Sequence, residues 1–302
     1  MPTAASARLV HRASELDVAL NDLPTRPPEV GVVLADPAFF DVEYVINAHM
    51  VGNIGSVDRA RARRQWEALR QTYAGLGYDI HVLDPVPGLP DLVFMANQSF
   101  PARLPTGQWA ALLSYMHAPE RRGEVEHVAA WYRDRDAHLV HLADAEVPFE
   151  GMGDCLWLPG RRGVVAGHGF RTQPRALGLL CETLDVPVLA LELVDARFYH
   201  LDTCLSLITE STALWVPDAF TAEGRQLLQQ AFDTLVEVPL DEATELLACN
   251  GHCPDRQHFI VQAGAERTNA AARALGLTVL ELDTTEFLKS GGSVYCMKLM
   301  LP

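Results

Sequence analysis

A cysteine near the end of this sequence is the side chain best suited to covalent chemistry. Cys296 follows the run Ser290 to Tyr295, in which Gly291 and Gly292 stand together. A thiol is intrinsically very nucleophilic, and a small fraction of it is thiolate at neutral pH. Glycines allow a tight turn that presents such a thiol to a substrate. We therefore take Cys296 as a candidate nucleophile and expect the last strand of the chain to carry it.

Acid–base partners for a thiol occur in two upstream motifs. His200 and Asp202 lie in Tyr-His-Leu-Asp-Thr-Cys, and Glu150 and Asp154 lie in Phe-Glu-Gly-Met-Gly-Asp. Each motif alone has an ordinary explanation, such as a core histidine with satisfied hydrogen bonds, a surface aspartate or a simple loop. Those explanations do not account for their coincidence with a cysteine behind a Gly-Gly pair. We expect folding to gather one imidazole and three carboxylates around Cys296.

The charge balance excludes a broad class of partners. Asp and Glu number 39 against 24 Lys and Arg, so the net charge is −15, which repels phosphate backbones. The pairs Arg121-Arg122 and Arg161-Arg162 are too short to form a basic patch, and we interpret them as solvated turn residues. No run of eighteen apolar residues occurs. We expect neither a nucleic-acid partner nor a membrane span.

Cysteine usage and the absence of cofactor motifs narrow the class further. Six scattered cysteines and no apolar secretion signal favour reduced thiols in the cytoplasm. Cys249, His252 and Cys253 lie within five residues, but no second ligand pair completes a zinc site. Phosphate-cradling glycine loops and a Gly-x-Ser-x-Gly elbow are also absent from the sequence. We expect no metal and no organic cofactor.

Hydrophobic periodicity indicates a repeated α/β unit. Five helices are predicted, each followed by a short apolar strand. The predicted helices are 58–74, 119–136, 173–184, 221–232 and 265–275, and the strands that follow them are 80–83, 139–142, 186–189, 234–238 and 278–282. Paired strands are predicted between them at 109–114, 155–158 with 164–167, 204–208 with 213–216, and 258–261. Five strand-strand-helix-strand units favour closure around an axis. We expect a mobile arm at 1–27 and one domain at 28–302.

Several motifs together resemble the guanidino-group-modifying superfamily, which includes arginine deiminases, dimethylarginine dimethylaminohydrolases, arginine dihydrolases and amidinotransferases. The resemblance covers most of the chain. Its motifs are Phe40 to Asn47, Pro90 to Asn97, the two motifs around Glu150 and His200, Leu247 to Asn250, and the Gly-Gly ending before Cys296. The resemblance implies a five-bladed α/β propeller, the pentein fold, which agrees with five repeated units.

The resemblance also implies roles for individual residues. Cys296 would be the nucleophile, His200 the general acid and base, and Glu150 a carboxylate that orients His200. Asp202 would bind the guanidinium group, and Arg171 would clamp the substrate carboxylate. The substrate pocket would consist of Asp202, Asn97, Asp91, Phe94, Arg171, Asn47 and Gly292. Clustered carboxylates raise the pKa of a thiol, so we expect the bound cation or charged His200 to help form the thiolate.

Asn97 separates the possible activities within this superfamily. By this resemblance, deiminases and dimethylarginine hydrolases have Asp at this position. The Asn of this chain is similar to the residue found in the dihydrolases. The chain departs from the family pattern at Gln98-Ser99, and it has Tyr115 where a second carboxylate-clamping arginine is expected. The leading hypothesis is hydrolysis of arginine or a derivative in two rounds. Alternatives are one hydrolysis, as in a dimethylarginine hydrolase or deiminase, amidino transfer, or a catalytically silent binding protein. A homo-oligomer is a further expectation.

Overall fold

Short strands grouped in small separate sheets form the framework of the chain. A computed structural model describes residues 8–142 and 146–302. The strands are β1 (Arg8–Val10), β2 (Gly31–Ala35), β3 (Asp79–Leu83), β4 (Ser99–Arg103), β5 (Trp109–Leu113), β6 (His138–His141), β7 (Cys155–Trp157), β8 (Val164–His168), β9 (Pro187–Glu192), β10 (Leu205–Leu207), β11 (Thr212–Trp215), β12 (Thr234–Glu237), β13 (His258–Gln262), β14 (Thr278–Leu282) and β15 (Leu299–Leu301).

The helices lie between the strands, with three short helices close to the site loops. They are α1 (Arg59–Gly75), α2 (Arg122–Arg133), α3 (Gly151–Asp154), α4 (Pro174–Leu184), α5 (Ala222–Ala231), α6 (Leu240–Glu245), α7 (Glu266–Ala274) and α8 (Thr285–Leu288). Asp58 caps α1 by accepting a hydrogen bond from Arg61 N, and Thr221 caps α5 through Gly224 N. The five predicted helices are confirmed. The predicted helix 119–136 shortens to α2 because Pro119–Arg121 forms a 3-10 turn.

One strand pattern recurs through the described residues. An antiparallel pair is followed by a helix and by a third strand that runs parallel to the second. This holds for β4-β5-β6, β7-β8-β9, β10-β11-β12 and β15-β2-β3. The β13-β14 pair is parallel, and its antiparallel partner is reduced to one bridge between His252 and Ile260. The predicted strand-strand-helix-strand unit is therefore present.

The two ends of the described chain are tied into sheets. β15 pairs antiparallel with β2, so the last strand completes the sheet that holds β3. Leu9 of β1 pairs in parallel register with Val188 of β9. Residues 1–7 of the predicted arm lie outside the described residues, and the division at residue 27 stays a prediction. No helix in the described residues has the length and apolarity that crossing a membrane requires.

The site residues share one position relative to the sheets. Each lies in the short segment just before the antiparallel pair of a sheet: Asn97 before β4, Asp154 at the end of α3 before β7, Asp202 in a 3-10 turn before β10 and Cys296 in a turn before β15. Buried apolar side chains in two large clusters fix the strands behind these loops. The repeated architecture therefore brings equivalent loops from distant parts of the sequence to one place, because packing rather than sequence proximity sets their positions.

Candidate active site

Cys296 lies in a turn before β15, so the expectation that the last strand carries it is wrong. The turn is held by Asn250, whose Oδ1 accepts hydrogen bonds from Ser293 N at 3.0 Å and Cys296 N at 3.2 Å. Asn250 Nδ2 lies 3.2 Å from Cys296 Sγ. In a strand, the Cys296 amide would form a hydrogen bond with a neighbouring strand. In this turn, it donates to the Asn250 side chain instead. The Cys296 side chain is 3% exposed.

The thiol of Cys296 faces a carboxylate. Cys296 Sγ donates to Asp202 Oδ2 at 3.1 Å. Burial raises the pKa of the Cys296 thiol well above its ordinary value, and the negative charge of Asp202 raises it further. Burial also raises the pKa of Asp202 to about 7, although the hydrogen bond from Cys296 and the charge of Lys298 oppose this effect. The free protein therefore holds Cys296 as a thiol.

His200 and Glu150 form a second buried pair. His200 Nε2 and Glu150 Oε2 are 2.6 Å apart, and Glu150 Oε1 accepts a hydrogen bond from His117 N at 2.9 Å. Burial acts to raise the pKa of Glu150, but the hydrogen bond and charge of His200, with the charge of Arg171, hold it well below its ordinary value. The carboxylate is therefore ionised. It fixes the imidazole and leaves Nδ1 as the nitrogen that can exchange a proton with a substrate.

Asp154, the third predicted carboxylate, supports the loop that carries His200. Its Oδ1 accepts a hydrogen bond from Leu201 N at 3.1 Å. Burial raises the pKa of Asp154 to about 6. Asp154 is not among the residues that line the cavity at Cys296. The structure therefore places it behind His200, rather than around the sulfur.

The amide of Asn97 accepts a hydrogen bond from Arg121, which was predicted from the sequence to be exposed to solvent. Arg121 Nη1 donates to Asn97 Oδ1 at 2.9 Å, and the Arg121 residue is 4% exposed. The interpretation of Arg121 as a solvated turn residue is wrong, because its guanidinium pairs with the buried carboxylate of Glu124 at 2.8 Å. Arg122, the other member of the pair, is exposed and lies over the ring of Tyr115. The Arg-x-x-Glu spacing is the sequence feature that could have indicated this ion pair, because residues three apart in a helical turn face each other.

The Gly-Gly turn next to Cys296 has no room for side chains. Gly291 has φ of +87°, and a Cβ there would lie 2.6 Å from the Tyr199 hydroxyl oxygen. A Cβ on Gly292 would lie 2.2 Å from the Phe94 ring. Asn47 Nδ2 donates to Ser290 O at 3.0 Å, and the Tyr199 hydroxyl donates to Gly291 O at 2.6 Å. The turn is therefore packed against Asn47, Tyr199 and Phe94.

Asp91 and Arg171 supply the remaining charged groups of the site. Asp91 Oδ1 accepts a hydrogen bond from Ser290 Oγ at 2.8 Å, and burial raises the pKa of Asp91. Arg171 Nη2 donates to Ile46 O at 2.8 Å, and its Nη1 lies 3.5 Å from Glu150 Oε2. The Arg171 guanidinium also lies 4.9 Å from the centre of the Tyr199 ring. One carboxylate and one guanidinium are therefore available to opposite charges on a substrate.

One small cavity is lined by most of these residues, whereas Glu150, Asp202 and Asn250 contact its lining residues His200 and Cys296 without lining it themselves. It is lined by Ile46, Asn47, Met50, Asp91, Phe94, Asn97, Arg121, Arg171, Tyr199, His200, Ser290, Gly291, Gly292 and Cys296. Its volume is about 10 Å³, which holds about one water molecule. Residues 41–56, which we call the covering loop, contribute Ile46, Asn47 and Met50. A substrate the size of arginine does not fit this volume.

Three buried polar atoms of the predicted pocket residues have no hydrogen-bond partner among the described residues. They are the acceptors Asp91 Oδ2 and Asp202 Oδ1 and the donor Asn97 Nδ2. Most buried polar atoms in proteins are paired, because an unpaired one loses its interaction with water without compensation. An unpaired acceptor and an unpaired donor beside a nucleophile are typical of a site that completes its hydrogen bonds with a substrate. Asn250 completes the set that holds Cys296, although the sequence motif had given it no role.

The sequence from residue 46 to residue 301 matches the family model described as N,N-dimethylarginine dimethylhydrolase, eukaryotic. The chain belongs to this family. As a member, it is a hydrolase of guanidino C–N bonds. The dimethylarginine dimethylaminohydrolase of Mycobacterium tuberculosis is 36% identical to this family member over 266 residues, which are 88% of this chain and 84% of that protein.

Other relatives of this family member carry a different activity in their names. The bifunctional arginine dihydrolase/ornithine cyclodeaminase of Nostoc is 34% identical over 268 residues, which are 88% of this chain and 37% of that longer protein. The substrate-bound N-terminal domain of the cyanobacterial arginine dihydrolase ArgZ superposes with a TM-score of 0.84 at 31% identity, over 90% of this chain and 98% of that domain. The α/β fold of this family member is therefore that of the solved guanidine hydrolases.

Proposed function

We propose that the chain hydrolyses the guanidine group of arginine or a close derivative in two rounds, with Cys296 as nucleophile. The observation that carries this proposal is the contact between Cys296 Sγ and Asp202, together with the His200–Glu150 pair, because Cys296 and His200 line one cavity. A planar cation with several N–H donors fits Asp202, because a carboxylate can accept paired charge-assisted hydrogen bonds. Asp202 Oδ1 is unpaired in the free protein and is available for this contact.

The first round removes one nitrogen. The Cys296 thiolate attacks the central guanidinium carbon and forms a C–S bond. His200 protonates the departing nitrogen, which leaves as ammonia and gives a covalent thiouronium. Water then attacks the same carbon, His200 accepts its proton, and the C–S bond breaks. The product is a ureido compound, and Cys296 is free again.

The second round repeats these steps on the ureido carbon. Thiolate attack and loss of ammonia give a thiocarbamate on Cys296, and water releases it as a carbamic acid. The carbamic acid separates into an ornithine-type amine and carbon dioxide. Each round consumes one water and releases one ammonia. Asn97 supports this second round because an amide side chain, unlike the aspartate of single-step relatives, can donate to a neutral carbonyl oxygen.

Substrate binding also explains how a high-pKa thiol reacts at neutral pH. Burial and Asp202 keep Cys296 protonated in the free protein. A bound guanidinium neutralises Asp202 and places positive charge beside the sulfur, and both effects lower the thiol pKa. The thiolate is therefore formed in the substrate complex, where the covering loop excludes water. Reagents that attack thiolates encounter a protonated sulfur in the free protein.

Arg171 is the candidate group for the substrate carboxylate. Its Nη2 bonds the covering loop at Ile46 O in the free protein, so opening of the loop releases it for a substrate. Tyr115 occupies the position where a second clamping arginine was expected. The exposed guanidinium of Arg122 lies 4.5 Å from the centre of the Tyr115 ring. A single buried clamp leaves the tail of the substrate less restrained than two would. Guanidine or ureido compounds with a different tail are therefore compatible with the site.

Three broader expectations accompany this proposal. The five sheets of the described residues, with their repeated unit, support a five-bladed propeller whose loops before each first strand form the site. The domain boundary at residue 28, a cytoplasmic location and a homo-oligomer stay predictions.

Product analysis tests the proposed function directly. The purified protein is incubated separately with arginine, asymmetric dimethylarginine and citrulline, and amines, ammonia and ureido products are measured by mass spectrometry. We expect arginine to give an ornithine-type amine with ammonia, and citrulline alone to be consumed. Accumulated citrulline that is not consumed would instead support one hydrolysis, and release of dimethylamine would support a dimethylarginine hydrolase. Transfer of an amidino group to added glycine would support an amidinotransferase.

A further inference from the structure

A buried guanidinium lies behind Asn97, outside the set of groups that the proposed mechanism uses. Arg121 donates through Nη1 to Asn97 Oδ1 at 2.9 Å and through Nη2 to Asp91 O at 3.1 Å. Its Nε and Nη2 form a forked pair with the two oxygens of Glu124, at 3.0 and 2.8 Å. Glu124 is fully buried, and Gln98 Nε2 donates to it at 2.7 Å. Arg121 is therefore fixed from both sides.

This contact determines which end of the Asn97 amide is left without a partner and is available to a ligand. A guanidinium has five N–H donors and no acceptor, so the atom of Asn97 that meets Arg121 must be the oxygen. The Nδ2 group then points away from Arg121. It lies beside Gly153, where a Cβ would be 2.3 Å from Nδ2 and 3.4 Å from the His200 ring. Nδ2 is buried and has no hydrogen-bond partner in residues 8–142 and 146–302.

The orientation of the Asn97 amide distinguishes between a guanidinium and a ureido group. A guanidinium carries only N–H donors at its reacting end, so it offers nothing to the Asn97 Nδ2 donor. A ureido group presents a carbonyl oxygen and satisfies it. The site therefore has a carboxylate acceptor for a guanidinium at Asp202, in contact with Cys296, and one fixed donor for a ureido oxygen at Asn97.

We propose that Arg121 is a positioning residue that locks the Asn97 amide with its donor toward the substrate, so that the site recognises the ureido oxygen of the intermediate product. Glu124 and Gln98 hold Arg121 in place. This inference rests on the proposed function, because the ureido compound is the substrate of the second round. Without Arg121, the amide can rotate and present its oxygen, which the ureido oxygen repels.

Binding to an inactive protein tests the inference separately from turnover. Cys296→Ser protein is combined with Arg121→Gln, and dissociation constants for L-citrulline and L-arginine are measured by calorimetry. We expect Arg121→Gln to weaken citrulline binding by about tenfold, the value of one lost hydrogen bond, and arginine binding by much less. Arg122→Gln is the matched control, because Arg122 is the exposed neighbour that does not contact Asn97, and it should leave both constants unchanged.

Several results would overturn the inference. They are equal weakening of both ligands by Arg121→Gln, unchanged citrulline binding, or no citrulline binding by the Cys296→Ser protein. If Arg121→Gln does not fold, Asn97→Asp replaces the donor without touching Arg121, and it must weaken citrulline while retaining arginine. Arg121-dependent citrulline binding without citrulline turnover by the wild-type protein would refute the second round and leave the positioning role intact.

Discussion

The sulfur of Cys296 lies 3.1 Å from Oδ2 of Asp202, so the nucleophile and the proposed guanidinium-binding carboxylate are hydrogen-bonded to each other in the free protein. A substrate cation that binds the unpaired Oδ1 neutralises the same carboxylate that accepts the thiol hydrogen bond at Oδ2. Binding therefore weakens the interaction that favours the protonated thiol, and it adds a positive charge nearby. Nucleophile activation and substrate recognition are coupled through this one contact.

Asp202→Asn should change thiol reactivity and catalysis in opposite directions. The negative charge of Asp202 raises the pKa of Cys296, so its removal lowers that pKa. We expect faster alkylation of Cys296 by iodoacetamide at pH 8 and loss of guanidine hydrolysis by at least about a hundredfold, because the amide cannot hold the cation. The alkylation rate is measured by mass spectrometry against Asp195→Asn, a surface change. Slower alkylation of Asp202→Asn would contradict the coupling.

The acid side of the pH profile should report Asp202. Burial raises its pKa to about 7, and only the ionised form binds a cation, so kcat/KM for arginine should rise with pH through about 7. The positive charge of Lys298 lowers the pKa of Asp202, so Lys298→Met should move this rise to higher pH. Lys289→Met, which removes a lysine paired with Glu286, is the control and should leave it in place. An unchanged or lower midpoint in Lys298→Met would contradict this assignment.

Glu150→Gln should slow turnover without unfolding the protein. The carboxylate holds His200 Nε2 at 2.6 Å and stabilises the charged imidazole that forms when His200 accepts a proton. Loss of that charge removes much of the acid–base contribution, which is about 10²- to 10⁴-fold in kcat. Glu126→Gln, at an exposed carboxylate, should keep full activity. If the kcat of Glu150→Gln were within about threefold of wild type, His200 would not need this partner.

Gly292→Ala should disrupt the turn that carries Cys296. A Cβ there would lie 2.2 Å from the Phe94 ring, and forced overpacking of this kind costs about 1–3 kcal/mol. We expect a lower Tm and a large loss of activity, because Ser293 and Cys296 must move relative to Asn250. Gly178→Ala is the matched control: it lies in α4 with no atom within 4 Å of the added Cβ. A Tm and activity equal to wild type in Gly292→Ala would show that Phe94 yields freely.

The sequence predicted the repeated elements well because local physics specifies them. Helix α1 buries an apolar face and begins after the Asp58 cap, and β14 occupies the predicted range 278–282. β2 and β15 were missed as a pair because they join the two ends of the chain. Their pairing depends on closure of the sheet, which no local pattern encodes.

The same distinction between local motifs and long-range packing applies to the site. Cys296, His200, Glu150 and Asp202 were identified from residue type and motif, and they lie together. Arg121 was misread because its burial depends on Glu124 and Asn97, which meet only in the folded chain. The position of Cys296 in a turn follows from Asn250, which is 46 residues away in sequence. Contacts of this range are set by packing and are not visible in local composition.

The most direct test of the central claim is the mass of the enzyme during turnover. Wild-type protein is mixed with excess arginine, quenched in acid within the first turnovers, digested and analysed by mass spectrometry. We predict that the peptide containing Cys296 gains the mass of arginine less one ammonia, because the thiouronium retains the substrate tail, and that Cys296→Ser protein carries no adduct and has no turnover. An unmodified Cys296 in a protein that turns over normally, or full activity in Cys296→Ser, would contradict covalent catalysis by this residue.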